Sequence, residues 1–497
     1  MKKIRIVSFL LAMILLCSGL LVACGGEDEG GKAGGDVILN TKEADTSKIL
    51  DLEKKDLGGH EFRFLATKDD VANDLMAEAV TGDKLNDAVF ARNAQIEKEY
   101  NCKIIVDWAN DAATSCREPL MAGEYVADFI YAGIRSMHKL AGMNLLYDTS
   151  KSEYINFEKA WWDQAALDGL NIGGRIFVTY GDATIRDDLA TFLSRVNFDF
   201  LSEYDDSIDL YQEVRDGKWT IDRMYELVSN TAKDLNGDGF LIGTEDRFGY
   251  NAEPAVNYAH VAACGVTLSD RDDAGNFELP AQVKPAVLDA WAALKPLLTS
   301  PTRLNDWRGL ADGLCTFYTC NTRSLLSTMD SGYDIGVLPL PKLNEDQKEH
   351  YTTVYFSQIS GFAIPNTVAN AEDAAAHGFT DGIQQACYFL EVFSYYSMNI
   401  ITPAFFDQVL IKQGMRNSES IEMMEIAIKN KIFDPVVGLN FGGMYMFNDI
   451  GSPGKRVPGS DINYETLAST YESRLTAARK ALQNYLTFVN TESLDAI

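Results

Sequence analysis

The first third of the chain alternates strand-like segments with a helical one, and this pattern restricts the fold more than any other feature. Glu61 to Ala66 alternates as a strand does, and Leu85 to Tyr100 carries apolar residues near helical spacing. Lys103 to Trp108, Ala127 to Ala132 and Arg175 to Tyr180 are predicted to be further strands. Strands that alternate with helices pack in layers, so we predict an α/β fold.

The rest of the chain continues this mixture. Asp187 to Phe200 is predicted to begin as a helix and continue as a strand. Further extended segments are predicted at Cys315 to Cys320, Tyr333 to Leu340 and Tyr355 to Ile364. Helices are predicted at Ile221 to Lys233, Gln384 to Tyr396, Ser418 to Ile432 and Tyr464 to Val489.

The length and composition indicate a globular protein with more than one core. The chain has 497 residues, of which 46% are apolar and 11% aromatic, and a chain of this length is expected to form two lobes. The net charge of -28 repels nucleic acid and anionic lipid, so we expect no nucleic-acid partner. We expect the protein to be a monomer.

The N-terminal residues have the pattern of an export signal. Lys2, Lys3 and Arg5 precede an apolar run that ends in Leu21-Val22-Ala23-Cys24, which resembles the bacterial lipobox. We therefore predict that residues 1–23 are removed and that Cys24 is lipidated. Residues 24–50 are predicted to form a flexible, glycine-rich tether that holds the protein on the extracellular face of the cell membrane. An ordinary signal peptide with a chance cysteine is the alternative.

Six further cysteines follow in this exported chain, and the sequence does not fix their pairing. They are Cys102, Cys116, Cys264, Cys315, Cys320 and Cys387. Cys315 and Cys320 are not expected to bond to each other, because five residues of strand separate them by about 16 Å on opposite faces. For the others, disulfides and buried free thiols remain alternatives.

Several short motifs together resemble one protein family. In chain order they are Trp161-Trp162-Asp163, Gly173-Gly174-Arg175-Ile176-Phe177, Val214-Arg215-Asp216-Gly217-Lys218-Trp219-Thr220, Phe248-Gly249-Tyr250, Ile335-Gly336-Val337-Leu338-Pro339-Leu340-Pro341-Lys342 and Gly361-Phe362-Ala363-Ile364-Pro365. In this order and spacing the chain resembles the extracellular solute-binding lipoproteins of Gram-positive ABC importers, in the branch usually assigned to sugars.

The resemblance implies a two-lobed periplasmic-binding-protein-like (type 2) fold with hinge strands between the lobes. The implied boundaries are 57–182 plus 355–432 for lobe 1 and 183–354 plus 433–497 for lobe 2. The chain would cross near Asp182, return near Tyr355 and cross again after about Ile432. The implied partners are a carbohydrate ligand, expected to be an oligosaccharide, and the ABC permease subunits that receive it.

Asp234 to Glu245 has the spacing of a calcium-binding loop, with a glycine at its sixth position for the sharp turn. The predicted ligands of a structural Ca²⁺ are Asp234, Asn236, Asp238, the carbonyl of Phe240, and Glu245. The segment after the loop does not have a helical pattern, so the second helix of an EF-hand is not expected. A solvated turn without metal is the alternative.

Sugar binding requires flat apolar faces and planar polar side chains, and the family's architecture places such residues in loops after the strands. The candidate ligand-binding residues are Lys68, Asp69, Arg135, Asp182, Arg323, Tyr355, Gln358, Phe441 and Tyr445. The tryptophans at 161, 162, 219 and 291 are predicted to be core residues instead.

Two other functions remain as alternatives to solute binding. A lipid-anchored glycan hydrolase also uses aromatic residues and a carboxylate pair, but the 72 acidic residues give no basis for choosing two. The sequence has no H-E-x-x-H, G-x-S-x-G or P-loop motif. A glycan-binding surface protein is the other alternative, although such proteins are often repetitive and this chain has no internal repeat. We therefore predict a binding protein that is not an enzyme.

Overall fold

The computed structural model describes most of the chain from Thr46 onward. The described residues are 46–68, 74–243, 245–252, 256–271, 277–304, 313–327, 332–370, 374–413, 418–444 and 466–490. Cys24, Asp69 and Tyr445 lie outside these ranges. No helix in the described part is long and apolar enough to cross a bilayer.

The strands are β1 (His60–Thr67), β2 (Cys102–Ala109), β3 (Phe129–Gly133), β4 (Phe192–Asn197), β5 (Phe248–Ala252), β6 (Asp270–Arg271), β7 (Phe277–Glu278), β8 (Arg303–Leu304), β9 (Cys315–Asn321), β10 (Ile335–Leu338) and β11 (Ser360–Ala363). The helices are α1 (Lys84–Tyr100), α2 (Ala112–Met121), α3 (Ile134–Ala141), α4 (Gln164–Leu170), α5 (Arg186–Leu189), α6 (Phe198–Tyr204), α7 (Leu210–Arg215), α8 (Ile221–Thr231), α9 (Val256–Ala263), α10 (Pro285–Leu298), α11 (Thr322–Ser327), α12 (Gly382–Gln413), α13 (Ser418–Lys429), α14 (Pro435–Gly438) and α15 (Leu467–Asn490).

The first sheet has the order β11-β3-β1-β2, with β1 parallel to both neighbours and β11 antiparallel to β3. Alternate residues of β1, including Phe62 and Phe64, are buried, as the sequence pattern predicts. They pack against α12, where the ring centroid of Phe389 lies 3.9 Å from that of Phe62 and the ring of Phe393 lies 5.4 Å from Phe64. This aromatic layer is the centre of the first core.

Arg175 to Tyr180 does not form the predicted strand. Thr179 makes a single bridge to Phe362, and Gly181 makes one to Trp162. No neighbouring strand therefore runs alongside residues 175–180 for long enough to form a ladder. Phe177, Val178 and Tyr180 are nevertheless buried, as they would be in a strand.

The second sheet has the order β10-β4-β9-β5-β8, and β4 is antiparallel to both of its neighbours. Every residue of β4 and β9 is buried, which indicates that both faces of this sheet are covered. The predicted strands at Cys315 to Cys320 and Tyr333 to Leu340 are therefore confirmed. Mixed sheets with helices packed against them confirm the α/β prediction.

Three extended segments connect the two sheets and pair with one another. Thr191, just before β4, bridges Val354, and Thr352 bridges Lys431. The Ile432 N–H donates to the Thr352 carbonyl at 2.7 Å. We call residues 190–192, 352–355 and 430–432 the crossing segments. They lie close to the crossings that the family resemblance implies.

The helices after α12 do not all pack in the lobes to which the family resemblance assigns them. α13 packs on β10 of the second sheet, where the Ser420 hydroxyl lies 2.9 Å from the Tyr211 hydroxyl, although the implied lobe 1 includes it. α15, which the implied lobe 2 includes, packs in the first core. Its Tyr485 hydroxyl lies 3.0 Å from His138 of α3, and its Tyr471 hydroxyl donates to the Pro280 carbonyl at 3.0 Å. The chain thus passes between the lobes once more, along α12.

The six cysteines in the described part of the chain are all buried, and none of them forms a disulfide. Cys315 and Cys320 do not bond to each other, as predicted, and the free-thiol alternative holds for the others. Burial raises the pKa of Cys116 to about 11 and that of Cys102 to about 12, so these thiols are protonated and unreactive at neutral pH.

The aromatic layer generates a stability prediction. Phe389→Ala removes a fully buried ring and should lower the free energy of unfolding by about 3–5 kcal/mol, measured by urea denaturation. Met121→Ala, at a helix position that is 66% exposed, is the control and should change it by less than about 0.5 kcal/mol. Equal effects of the two substitutions would contradict the assignment of this core.

Candidate functional site

The carboxyl ends of the parallel strands in the two sheets meet beside the crossing segments. In open α/β sheets this is where ligands bind. The Asn321 amide, at the end of β9, donates to the Gln358 side-chain carbonyl at 2.9 Å. Gln358 lies just before β11, whose first residue Ser360 pairs with Gly133 at the end of β3. A residue from each sheet edge is therefore in direct contact.

Five of the predicted ligand-binding residues lie around this contact. They are Lys68, Arg135, Arg323, Tyr355 and Gln358. Together with Asn321, these five residues form a set that we call the strand-end site. Lys68 directly follows β1 and is exposed. Arg135 is the second residue of α3 and donates through Nε to the Gly438 carbonyl at 3.0 Å. Arg323 lies in α11, directly after β9, and is half-buried.

The aromatic member of the strand-end site lies on a crossing segment. The Tyr355 N–H donates to the Ala190 carbonyl at 2.8 Å, and its half-buried ring lies 6.0 Å from the ring of Phe192. The Gln358 N–H in turn donates to the Tyr355 carbonyl at 2.8 Å. The backbone thus fixes both residues relative to the hinge.

The remaining candidates lie elsewhere. Phe441 is only 8% exposed and packs 6.1 Å from the ring of Tyr485, so its ring is part of the core and does not offer a stacking face. Asp182 lines a separate cavity beside the crossing segments. Asp69 and Tyr445 are outside the described residues.

Arg186 is a site residue that the sequence did not indicate. Its guanidinium donates to the Thr67 carbonyl at the end of β1 at 3.0 Å and to the Ser360 hydroxyl at 3.1 Å, and it lies 4.5 Å over the ring of Tyr131. It therefore fixes the end of β1 next to Lys68. In the sequence it begins a charged run, Arg186-Asp187-Asp188, which is typical of an exposed turn.

Asp74, the first described residue after residues 69–73, is bonded to the segment just before α5. Its carboxylate accepts from the Thr184 hydroxyl at 2.6 Å and from the Ile185 N–H at 3.0 Å. Both donors precede α5, which leads into the first crossing segment. Asp74 is therefore anchored to the segment that leads into the hinge.

The four tryptophans are in the core, as predicted, with exposed fractions of 0–3%. The Trp162 indole donates to Glu391 of α12 at 3.0 Å, and the Asn156 N–H donates to the same carboxyl at 3.3 Å. Burial raises the pKa of Glu391 to about 7, well above the 4.5 of an exposed glutamate.

This buried carboxyl predicts a pH dependence of stability. Because its pKa is raised on folding, the protonated form stabilises the fold below pH 4.5, and this contribution is lost as pH rises through 7. The melting temperature should therefore fall between pH 6 and pH 8, and Glu391→Gln should reduce that fall. Differential scanning calorimetry at the two pH values measures it, and an unchanged fall in the variant would contradict the prediction.

The calcium-type loop folds around its own side chains. Asp234 accepts from the Gly237 and Gly239 N–H groups, each at 2.7 Å, and these bonds lower its pKa. The Asn236 amide donates to Asp238 at 3.2 Å and to Glu245 at 3.1 Å. The φ angles of 78° at Gly237 and 86° at Gly239 are left-handed, which favours glycine at both positions.

These contacts bring the side chains of Asp234, Asn236, Asp238 and Glu245 together, so the donor set fits a hard cation in residue type. The Phe240 side chain is 70% exposed. The predicted metal ligand from this residue is its backbone carbonyl oxygen. Among the described residues, no group of three or more His, Cys, Asp or Glu side chains is placed closely enough to hold a metal as it stands. Binding would require the Asn236 amide to turn its oxygen inward.

Several solved structures align with most of this chain and have the same fold. UspC from M. tuberculosis aligns with a TM-score of 0.51 at 14% identity, covering 85% of this chain and 100% of that one. A cyclo/maltodextrin-binding protein complexed with maltotetraose gives 0.52 at 13%, covering 88% and 99%. The cyclic alpha-maltosyl-1,6-maltose binding protein from Arthrobacter globiformis gives 0.51 at 12%, covering 86% and 99%.

No protein-family model matches the sequence, and no curated protein matches it. At these identities the structural likeness concerns the fold. The chain has the two-lobed α/β fold of substrate-binding proteins, with hinge strands between the lobes.

Proposed function

We propose that this protein captures an oligosaccharide between its two lobes and delivers it to an ABC permease. The observation that carries the proposal is the contact of Asn321 with Gln358, which places the carboxyl ends of both sheets at one site beside the crossing segments. Two solved structures with the same fold are, by their titles, a cyclo/maltodextrin-binding protein with maltotetraose and a cyclic maltosyl-maltose binding protein.

The chemistry of the strand-end site suits sugar hydroxyls. The amide groups of Asn321 and Gln358 donate and accept hydrogen bonds, and the planar guanidinium groups of Arg135 and Arg323 donate them. The Tyr355 ring offers an apolar face for sugar C–H groups. Because these side chains come from both lobes, a ligand that contacts them all stabilises the closed arrangement over the open one.

The proposal includes the membrane anchor. The Leu21-Val22-Ala23-Cys24 pattern supports lipidation of Cys24, so a tether would hold the binding protein at the extracellular face of the membrane, close to its permease. The strongly acidic surface would keep the folded part from adhering to anionic lipid. The protein would act as a monomer.

A sugar screen tests the binding function. The mature protein should show a higher melting temperature with maltotetraose or a related oligosaccharide, because a ligand at 100 times its Kd stabilises the folded state by about 2.7 kcal/mol. Chromatography of the incubated sugar should show no products. Sugar cleavage would contradict the proposal in favour of a hydrolase, and a lack of stabilisation across linear and cyclic oligosaccharides would contradict sugar binding.

A pair of variants locates the binding. Asn321→Ala removes one donor from the strand-end site and should weaken binding by about tenfold, measured by isothermal titration calorimetry with the stabilising sugar. Gln95→Ala, which removes an exposed amide bonded to Glu99 on α1, is the matched control and should leave the affinity unchanged. Equal affinities in both variants would place the sugar elsewhere.

A structural Ca²⁺ in the loop from Asp234 to Glu245 is part of the proposal. Calorimetric titration with CaCl₂ should show one weak site with a Kd of about 0.1–1 mM, and Asp238→Ala should abolish it. Asp222→Ala, an exposed acid on the preceding helix α8, is the control and should bind calcium like the unmodified protein. Absence of calcium binding, or binding that survives Asp238→Ala, would leave the loop as a solvated turn.

A further inference from the structure

A cavity of about 460 Å³ lies beside the crossing segments, and we call it the hinge cavity. One wall consists of Trp162, Asp163 and the segment from Gly181 to Asp188. The other consists of Thr402 and Phe406 of α12 and the segment from Ile428 to Lys431. The first wall is tied to the first core through the bridge between Trp162 and Gly181.

Lys431, on the third crossing segment, is buried in this cavity with three carboxylates. Its ammonium lies 2.7 Å from Asp163, 2.6 Å from Asp187 and 3.0 Å from Asp188. An ammonium has three N–H donors, so these three partners occupy all of them. The carboxylates raise the pKa of Lys431 well above its usual value in spite of its burial, and the lysine remains charged.

Asp182 is the fourth acid of the hinge cavity, and its hydrogen-bond partner there is the Thr402 hydroxyl. Burial raises the pKa of Asp182 to about 7, and the charges of Asp188 and Asp163 add to this, while Thr402 and Lys431 oppose it. The charged groups that face Asp182 are Asp163 before α4, Asp187 and Asp188 of α5, Lys429 at the end of α13, and Lys431. Burial likewise raises the pKa of Asp187 well above its usual value, although Lys431 opposes this.

The bond between Asp182 and Thr402 joins parts of the chain that belong to different cores. Tyr180, two residues before Asp182, is in the first core, whereas Ile401, next to Thr402, is in the second. Pro403 follows Thr402 inside α12. Because proline cannot donate to the preceding turn, the helix lacks one backbone hydrogen bond at this point.

We propose that the protonation state of Asp182 sets the angle between the two lobes. The neutral carboxyl remains in the hinge cavity, bonded to Thr402, and the lobes keep the described arrangement. The ionised carboxylate is repelled by Asp163 and Asp188, so it moves toward water and draws the walls of the cavity apart. This coupling acts in the ligand-free protein and does not depend on which solute binds.

Distance measurements between the lobes test the proposal without any ligand. Spin labels are attached at Met121→Cys in the first lobe and Tyr204→Cys in the second, both exposed positions, in a Cys24→Ser background; the six described cysteines are buried. Double electron–electron resonance should show a distance distribution that changes between pH 6 and pH 8. Asp182→Asn should keep the pH 6 distribution at both values. The proposal would be overturned if the distance distribution of the unmodified protein did not change with pH, or if Asp182→Asn showed an equal change.

Two further variants separate this role from simple stabilisation. Thr402→Val keeps the volume but removes the hydroxyl that bonds neutral Asp182 across the cavity, so the described arrangement is weakened and the midpoint of the distance change should move to lower pH. Glu391→Gln removes another buried carboxyl whose pKa burial raises to about 7, but its partners Trp162 and Asn156 lie in the first lobe, so this variant should leave the midpoint unchanged. An unmoved midpoint in Thr402→Val, or a moved one in Glu391→Gln, would contradict the proposal.

Discussion

The pairing of Thr352 with both other crossing segments is the constraint on which the rest of the structure depends. Its hydroxyl donates to the Phe192 carbonyl at 2.7 Å, its N–H donates to the Asn430 carbonyl at 3.1 Å, and its carbonyl accepts from Ile432 at 2.7 Å. One residue thus holds all three segments together. The two sheets face each other at the strand-end site because these segments have a fixed register.

The hinge also explains why so many buried charges lie in one place. Arg186, Asp187 and Lys431 are each less than 10% exposed, and burial of a charge is costly unless it is paired. They connect the first crossing segment to β1 on one side and to the third crossing segment on the other. Their directional bonds specify one arrangement of the segments, whereas an apolar hinge would allow several packings. The same low-dielectric surroundings make the neighbouring Asp182 sensitive to pH.

The sequence predicts the parts of this structure that depend on local patterns. β1 and α1 follow from periodicity, the tryptophans from the usual burial of such residues at these positions, and the absence of a bond between Cys315 and Cys320 from strand geometry. Arg175 to Tyr180 was wrongly predicted as a strand, because alternation does not show whether a neighbouring strand is present.

The Lys431 cluster was not predicted, since its partners at Asp163 and Asp187 are distant in sequence and hydropathy places such residues at the surface. Phe441 was misassigned because the following glycines suggest an open loop. Gly442 instead allows close packing, since a Cβ there would lie 2.2 Å from the Ala478 backbone nitrogen.

The central claim is that one ligand contacts both lobes at the strand-end site. Amide hydrogen exchange of the mature protein, with and without a saturating concentration of the oligosaccharide that stabilises it, tests this most directly. The account predicts that peptides around Lys68 and Arg135 in the first lobe and around Asn321 in the second become protected together. Protection confined to one lobe, or located away from these strand ends, would contradict capture between the lobes.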